Sequence, residues 1–66
     1  MLVLKVTMLE GRTPAQKSAL INRLTQAAVR HLDADPDDVR VMIYEIPATN
    51  WGAGGVSLAE KQKQNT

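Results

Sequence analysis

Thr13-Pro14-Ala15-Gln16 carries a complete helix start in four residues. Thr13 is suited to the N-cap and Pro14 to the first helical position, and Gln16 three residues after the cap completes a capping box. Downstream, Leu20, Leu24, Ala27, Ala28 and His31 or Leu32 recur at helical spacing, with Ile21 widening the stripe. Lys17, Arg23 and Arg30 fall off it, and Arg30 and His31 suit the negative pole of the helix dipole. The acidic run Asp33 to Asp38, broken by Pro36, ends the helix, and Asp35-Pro36-Asp37-Asp38 has the makings of one capped short turn.

On either side of this helix the period changes from 3.6 to 2. Before it, Leu2, Leu4, Val6 and Met8 share one face of a strand, while Lys5 and Thr7 take the other; Val3 on that second face implies that it is partly covered as well. After it, Val39, Val41 and Ile43 alternate with Arg40, Met42 and Tyr44 in a second strand from Val39 to Ile46. Two strands joined by a helix of about 18 residues form a β-α-β unit, with parallel strands and a right-handed crossover. Pro47 stops the second strand. Asn50-Trp51-Gly52-Ala53-Gly54-Gly55 is a glycine-rich loop, and Val56-Ser57-Leu58 supplies a short hairpin arm. The segment from Glu60 to Thr66 is polar and aperiodic, so residues 1–58 are expected to form the domain and residues 59–66 a frayed polar tail.

The chain has 66 residues, 44% of them hydrophobic, with no Cys, one His and a net charge of +1. A domain this short hides only about 60% of its unfolded surface. Below roughly 70–80 residues the usual remedies are disulfides, a metal or oligomerisation. The first needs Cys, and a zinc site needs four N, S or O ligands that one His and no Cys do not readily supply. Oligomerisation is the remedy left. Two subunits side by side would share an edge to give a four-stranded sheet with two helices on one face. No basic run points to nucleic acid, and no apolar run approaches the ~18 residues of a membrane span. Met1 to Leu9 lacks a basic leader and a cleavage signal. The expectation is a cytoplasmic protein.

Few residues carry chemistry. Arg12 follows the first strand and Arg40 lies in the second, and two guanidinium groups near one pocket would bind a carboxylate or 2-oxo acid. Each is also readable as a surface Arg with an acid nearby. Trp51, the only Trp, suits either the wall of a small-molecule pocket or a subunit interface. Gly52, Gly54 and Gly55 lack the lysine and following helix of a phosphate loop. Glu10 and Glu45 are candidate acids, but spacing fixes no pair of carboxylates.

Leu9-Glu10-Gly11-Arg12, Gln16-Lys17, Leu20-Ile21, Val39-Arg40-Val41-Met42-Ile43-Tyr44-Glu45 and Trp51-Gly52-Ala53-Gly54-Gly55, in this order and spacing, resemble the 4-oxalocrotonate tautomerase family. The resemblance runs from the first strand to about Leu58. It implies a hexamer built as a trimer of dimers and an isomerase that moves a proton between carbon atoms of an enol or dienol acid. It implies no metal and no cofactor. By resemblance Arg12 binds a substrate carboxylate, Arg40 reaches the 2-oxo or 2-hydroxy end from a neighbouring chain, and Trp51 makes the pocket apolar.

One position departs from the pattern. The family's amino-terminal Pro is its general base and acid, and Leu2 stands in that place. Leu2 has an amide nitrogen, which is not a base. A bulky second residue also leaves Met1 in place, so the free α-amine of Met1 lies one residue further out, about 3.3 Å along a strand. An amine in an apolar, cation-lined pocket favours its neutral, basic form, but ~1 Å of misplacement can cost 10²-fold in rate. Three expectations therefore stand together: a tautomerase with weak or altered proton transfer; a non-catalytic subunit lending Arg40 to a Pro-bearing paralogue in a mixed oligomer; and a binding protein for small carboxylates.

Overall fold

The computed structural model describes residues 1–64, in the order β1 (Leu2–Leu9), α1 (Pro14–Leu32), β2 (Val39–Ile46), β3 (Gly52–Ala53), β4 (Val56–Ser57) and α2 (Leu58–Gln64). One 3₁₀ turn, Pro36–Asp38, precedes β2, and another, Ala48–Asn50, follows it. Strands β1 and β2 pair in parallel, with Leu2 opposite Val39 and Leu9 opposite Ile46. The β-α-β unit and the hairpin form as the alternation and turn residues predict.

Local signals account for the boundaries. The Thr13 hydroxyl accepts from the Gln16 amide at 3.1 Å, and the Gln16 side chain accepts from the Thr13 amide at 3.0 Å. This reciprocal pair satisfies two amide donors that a helix start leaves open. At the other end Asp33 turns into the left-handed region at φ 54°, which stops the helix. Asp35 Oδ1 then accepts from the Asp37 amide and caps the short turn into β2. Gly54 and Gly55, at φ 65° and 84°, supply the two left-handed residues that a tight β3–β4 hairpin needs.

Helix α1 packs chiefly over β2. Its inward side is Lys17, Leu20, Leu24, Thr25, Ala28 and Val29. Ile21, Ala27, His31 and Leu32, expected on the stripe, are exposed. The seam is narrower than the apolar spacing implied, because a two-stranded sheet offers too little width to cover both flanks of a helix. Lys17, expected to point away, is half-buried against the sheet.

The C-terminal segment also differs from expectation. Leu58 to Gln64 is helical rather than frayed; Asn65 and Thr66 lie outside the described residues. The Ser57 hydroxyl accepts from the Glu60 amide at 3.2 Å and donates to the Glu60 carboxylate at 3.0 Å. Ser57-x-x-Glu60 thus caps a seven-residue helix that would be marginal in isolation. Contacts with the Ala48–Asn50 turn and β4 hold it in place.

The core is incomplete within one chain. Among the described residues only Ala28 and Val39 are buried, at 5% and 8% exposure, while Val3, Met42 and Tyr44 stand exposed on the sheet face away from α1. The radius of gyration is 15.7 Å, against about 11 Å for a compact domain of this length. The accessible surface is 5174 Å², against about 4,100 Å² for a compact monomer of this mass. The excess, roughly 1,000 Å², is comparable to one partner's share of a stable interface. Among the described residues no helix is long and apolar enough to cross a membrane.

Candidate active site

Two groups of side chains occupy opposite ends of the β1–β2 sheet. At the C-terminal end of β1, Gly11 turns the chain at φ 127°, a conformation that favours glycine, and presents Arg12 immediately afterwards. Trp51 comes from the segment that follows β2. It is held by the Ala48–Asn50 turn, where its amide donates to the Ala48 carbonyl, and by its own carbonyl, which accepts from the Leu58 amide at 2.7 Å. Met8, Leu9, Glu10, Gly11, Arg12 and Trp51 together line an open hollow of about 500 Å³. Trp51 is 37% exposed, so part of the indole packs while part faces the hollow. Arg12 is exposed and makes no hydrogen bond or ion pair with the other described residues, leaving its fork of donors free. Among the described residues no acid pairs with it.

The N-terminal end of β1 gathers the remaining candidates. Leu2 is the first residue of β1, half-buried on the face toward α1, opposite Val39. Met1 is 87% exposed. Arg40 pairs in register with Val3, lies on the outer sheet face, and donates from Nη1 to the Asp37 carbonyl oxygen. Met1 and Leu2 line a hollow of about 470 Å³ with Leu32, Ala34, Asp33, Asp35 and Asp38. The hollow beside Met1 is lined by carboxylates and apolar groups of the chain itself.

Arg12 and Trp51 therefore meet within one chain, while Met1, Leu2 and Arg40 do not join them. Val3, opposite Arg40, precedes Leu9 by six residues, about 20 Å along a strand. Within one chain the two arginines stand toward opposite ends of the β1–β2 sheet. Sequence reasoning missed Lys17. Its Nζ contacts Glu45 Oε1 at 2.6 Å, tying the first turn of α1 to the end of β2, and it lines a hollow that shares Met8 and Arg12 with the Trp51 hollow. The partner lies 28 residues away, beyond the reach of local spacing.

Known proteins resemble this chain in sequence and in fold. A family model described as Tautomerase enzyme matches residues 3–61. A 2-hydroxymuconate tautomerase of Pseudomonas putida is 48% identical over 85% of this chain and 89% of its own. A crystal structure of a 4-oxalocrotonate tautomerase homologue from the tomaymycin biosynthetic pathway superposes with a TM-score of 0.89 at 39% identity, covering 97% of this chain and 98% of that one. A heterohexameric 4-oxalocrotonate tautomerase from Chloroflexus aurantiacus gives a TM-score of 0.82 at 47% identity, covering 91% and 97%. The chain belongs to the tautomerase family.

Proposed function

We propose that this chain is a cofactor-free isomerase of the tautomerase type, acting on small enol or 2-oxo carboxylic acids. The observation that carries the reading is the unpaired Arg12 beside Trp51, in an open hollow. In this reading Arg12 holds a substrate carboxylate through paired N–H donors, and Trp51 keeps the pocket apolar. Arg40 of a second chain polarises the 2-oxo or 2-hydroxy oxygen, favouring the charge that develops there during proton transfer. The incomplete core supports assembly into a homo-oligomer, with a hexamer built as a trimer of dimers as the proposed form. The proposed setting is cytoplasmic.

Leu2 makes proton transfer the weak step. Its nitrogen belongs to a peptide bond, so the α-amine of Met1 takes the role of base, displaced along β1. Proton abstraction then proceeds from a less well placed group, and turnover falls below that of a Pro-initiated site. The test is ketonisation of 2-hydroxymuconate by the purified chain beside Arg40→Ala. Turnover above buffer that drops more than tenfold in the variant supports the reading. Turnover at the buffer rate in both contradicts it.

A second reading is favoured by Leu2 itself. A chain without the base but with Arg12 and Arg40 intact suits a mixed oligomer, in which it lends Arg40 to a Pro-bearing paralogue. The heterohexameric relative gives this reading a precedent in the family. Native mass spectrometry after co-expression with such a paralogue separates the two, since only homo-oligomers would count against mixing. Failure of both turnover and mixing, with carboxylate binding retained, would leave a binding protein.

A further inference from the structure

We infer that Lys17 is a specificity-determining residue that, with Arg12, forms a two-cation seat for the distal carboxylate of a dicarboxylic ligand. The inference rests on the proposed role of Arg12 in carboxylate binding. Its own support is the hollow of about 270 Å³ lined by Met8, Arg12, Gln16, Lys17 and Leu20, which adjoins the Trp51 hollow through Met8 and Arg12. Arg12 lines both hollows and Lys17 lines one of them with it, so a carboxylate held by Arg12 on that side shares its hollow with Lys17. The Gln16 side chain is already engaged in capping α1, and Met8 and Leu20 are apolar. Arg12 and Lys17 are the charged groups on this wall.

The Lys17–Glu45 ion pair shapes what the seat can do. Side-chain exposures of 26% and 31% leave the pair partly open to solvent. An ammonium carries three N–H donors, and Glu45 Oε1 is the acceptor that holds it in the structure. Glu45 therefore fixes the position of the ammonium while donors remain for a ligand oxygen. Fixing a long side chain in advance lowers the ordering cost when the ligand arrives. The same carboxylate also competes with the ligand for positive charge. The two partners should therefore have opposite effects on ligand affinity, whereas a purely structural bridge would be broken equally by losing either one.

Calorimetric titration with muconate, a dicarboxylate without the enol, reads this directly and needs no turnover. Lys17→Met is expected to weaken muconate binding about fivefold and Glu45→Gln to tighten it about twofold to threefold, with Lys17→Arg close to the parent. Thermal melts establish which variants are folded, and Lys17→Arg against Glu45→Gln preserves the comparison if Lys17→Met is not. Any result in which the Lys17 and Glu45 variants do not move in these directions overturns the inference. If Arg12→Ala still weakens binding in that case, the Arg12 reading survives. If Arg12→Ala has no effect, or the parent chain does not bind muconate, both fail.

Discussion

Arg40 lies opposite Val3 at the start of the sheet, and Arg12 follows β1 at its far end. Their backbone positions are separated by most of the length of an eight-residue strand. In the proposed site, one substrate touches both where two chains meet. The elongated shape and small core of a single chain fit the proposed assembly, in which neighbouring chains complete the site.

The displaced base makes the sharpest catalytic prediction. Removing Met1 and replacing Leu2→Pro puts a secondary amine at the first position of β1, where proline is tolerated. General-base placement contributes on the order of 10²–10⁴-fold, so kcat/KM for 2-hydroxymuconate should rise by at least ~10²-fold. Steady-state kinetics on parent and variant decide it. An unchanged rate would mean that the rest of the pocket does not converge on that position.

The sequence made the scaffold legible and the site only partly so. Thr13, Pro14 and Gln16 announced α1 because capping is local, and alternation announced both strands because a pleated strand has period two. Gly11-Arg12 and Trp51 were visible as chemistry-bearing residues in turns. What spacing could not convey was contact across the fold. Lys17 looked solvated because its partner, Glu45, lies on β2. Ile21 and Leu32 looked like core because a helix stripe does not reveal how narrow the sheet beneath it is. Ser57-x-x-Glu60 was readable as a helix start, but the polar run after it masked the signal.

Trp51 carries a prediction that its uniqueness makes easy to read. Trp51→Ala should lower kcat/KM about tenfold, with Trp51→Phe within about threefold, since an aromatic wall supplies most of the buried apolar area. In the parent, tryptophan emission comes from this residue alone, so muconate should change it in a saturable way, and Arg12→Ala should abolish the change. Saturable binding measured by calorimetry with no change in emission would place the ligand away from Trp51.

The outer sheet face tests the assembly. Met42 and Tyr44 are exposed there beside Val3, and a glutamate in place of Met42 would bury a charge if that face is covered by another chain. Burying an unpaired charge is strongly unfavourable. Met42→Glu should dissociate the oligomer at micromolar concentration, and the parent's thermal midpoint should rise with protein concentration as linked assembly requires. Sedimentation velocity checks both chains. A variant that sediments like the parent would show that this face stays open to solvent.

The most direct measurement of the composite site is complementation between Arg12→Ala and Arg40→Ala. Each variant alone should lose more than tenfold of the parent's 2-hydroxymuconate ketonisation. Unfolded together and refolded as a mixture, they should regain activity. Where an intact Arg12 from one variant meets an intact Arg40 from the other, the pocket is whole. Recovery above the sum of the separate variants is the predicted result. A mixture confirmed by native mass spectrometry that shows no recovery would contradict a site shared between chains.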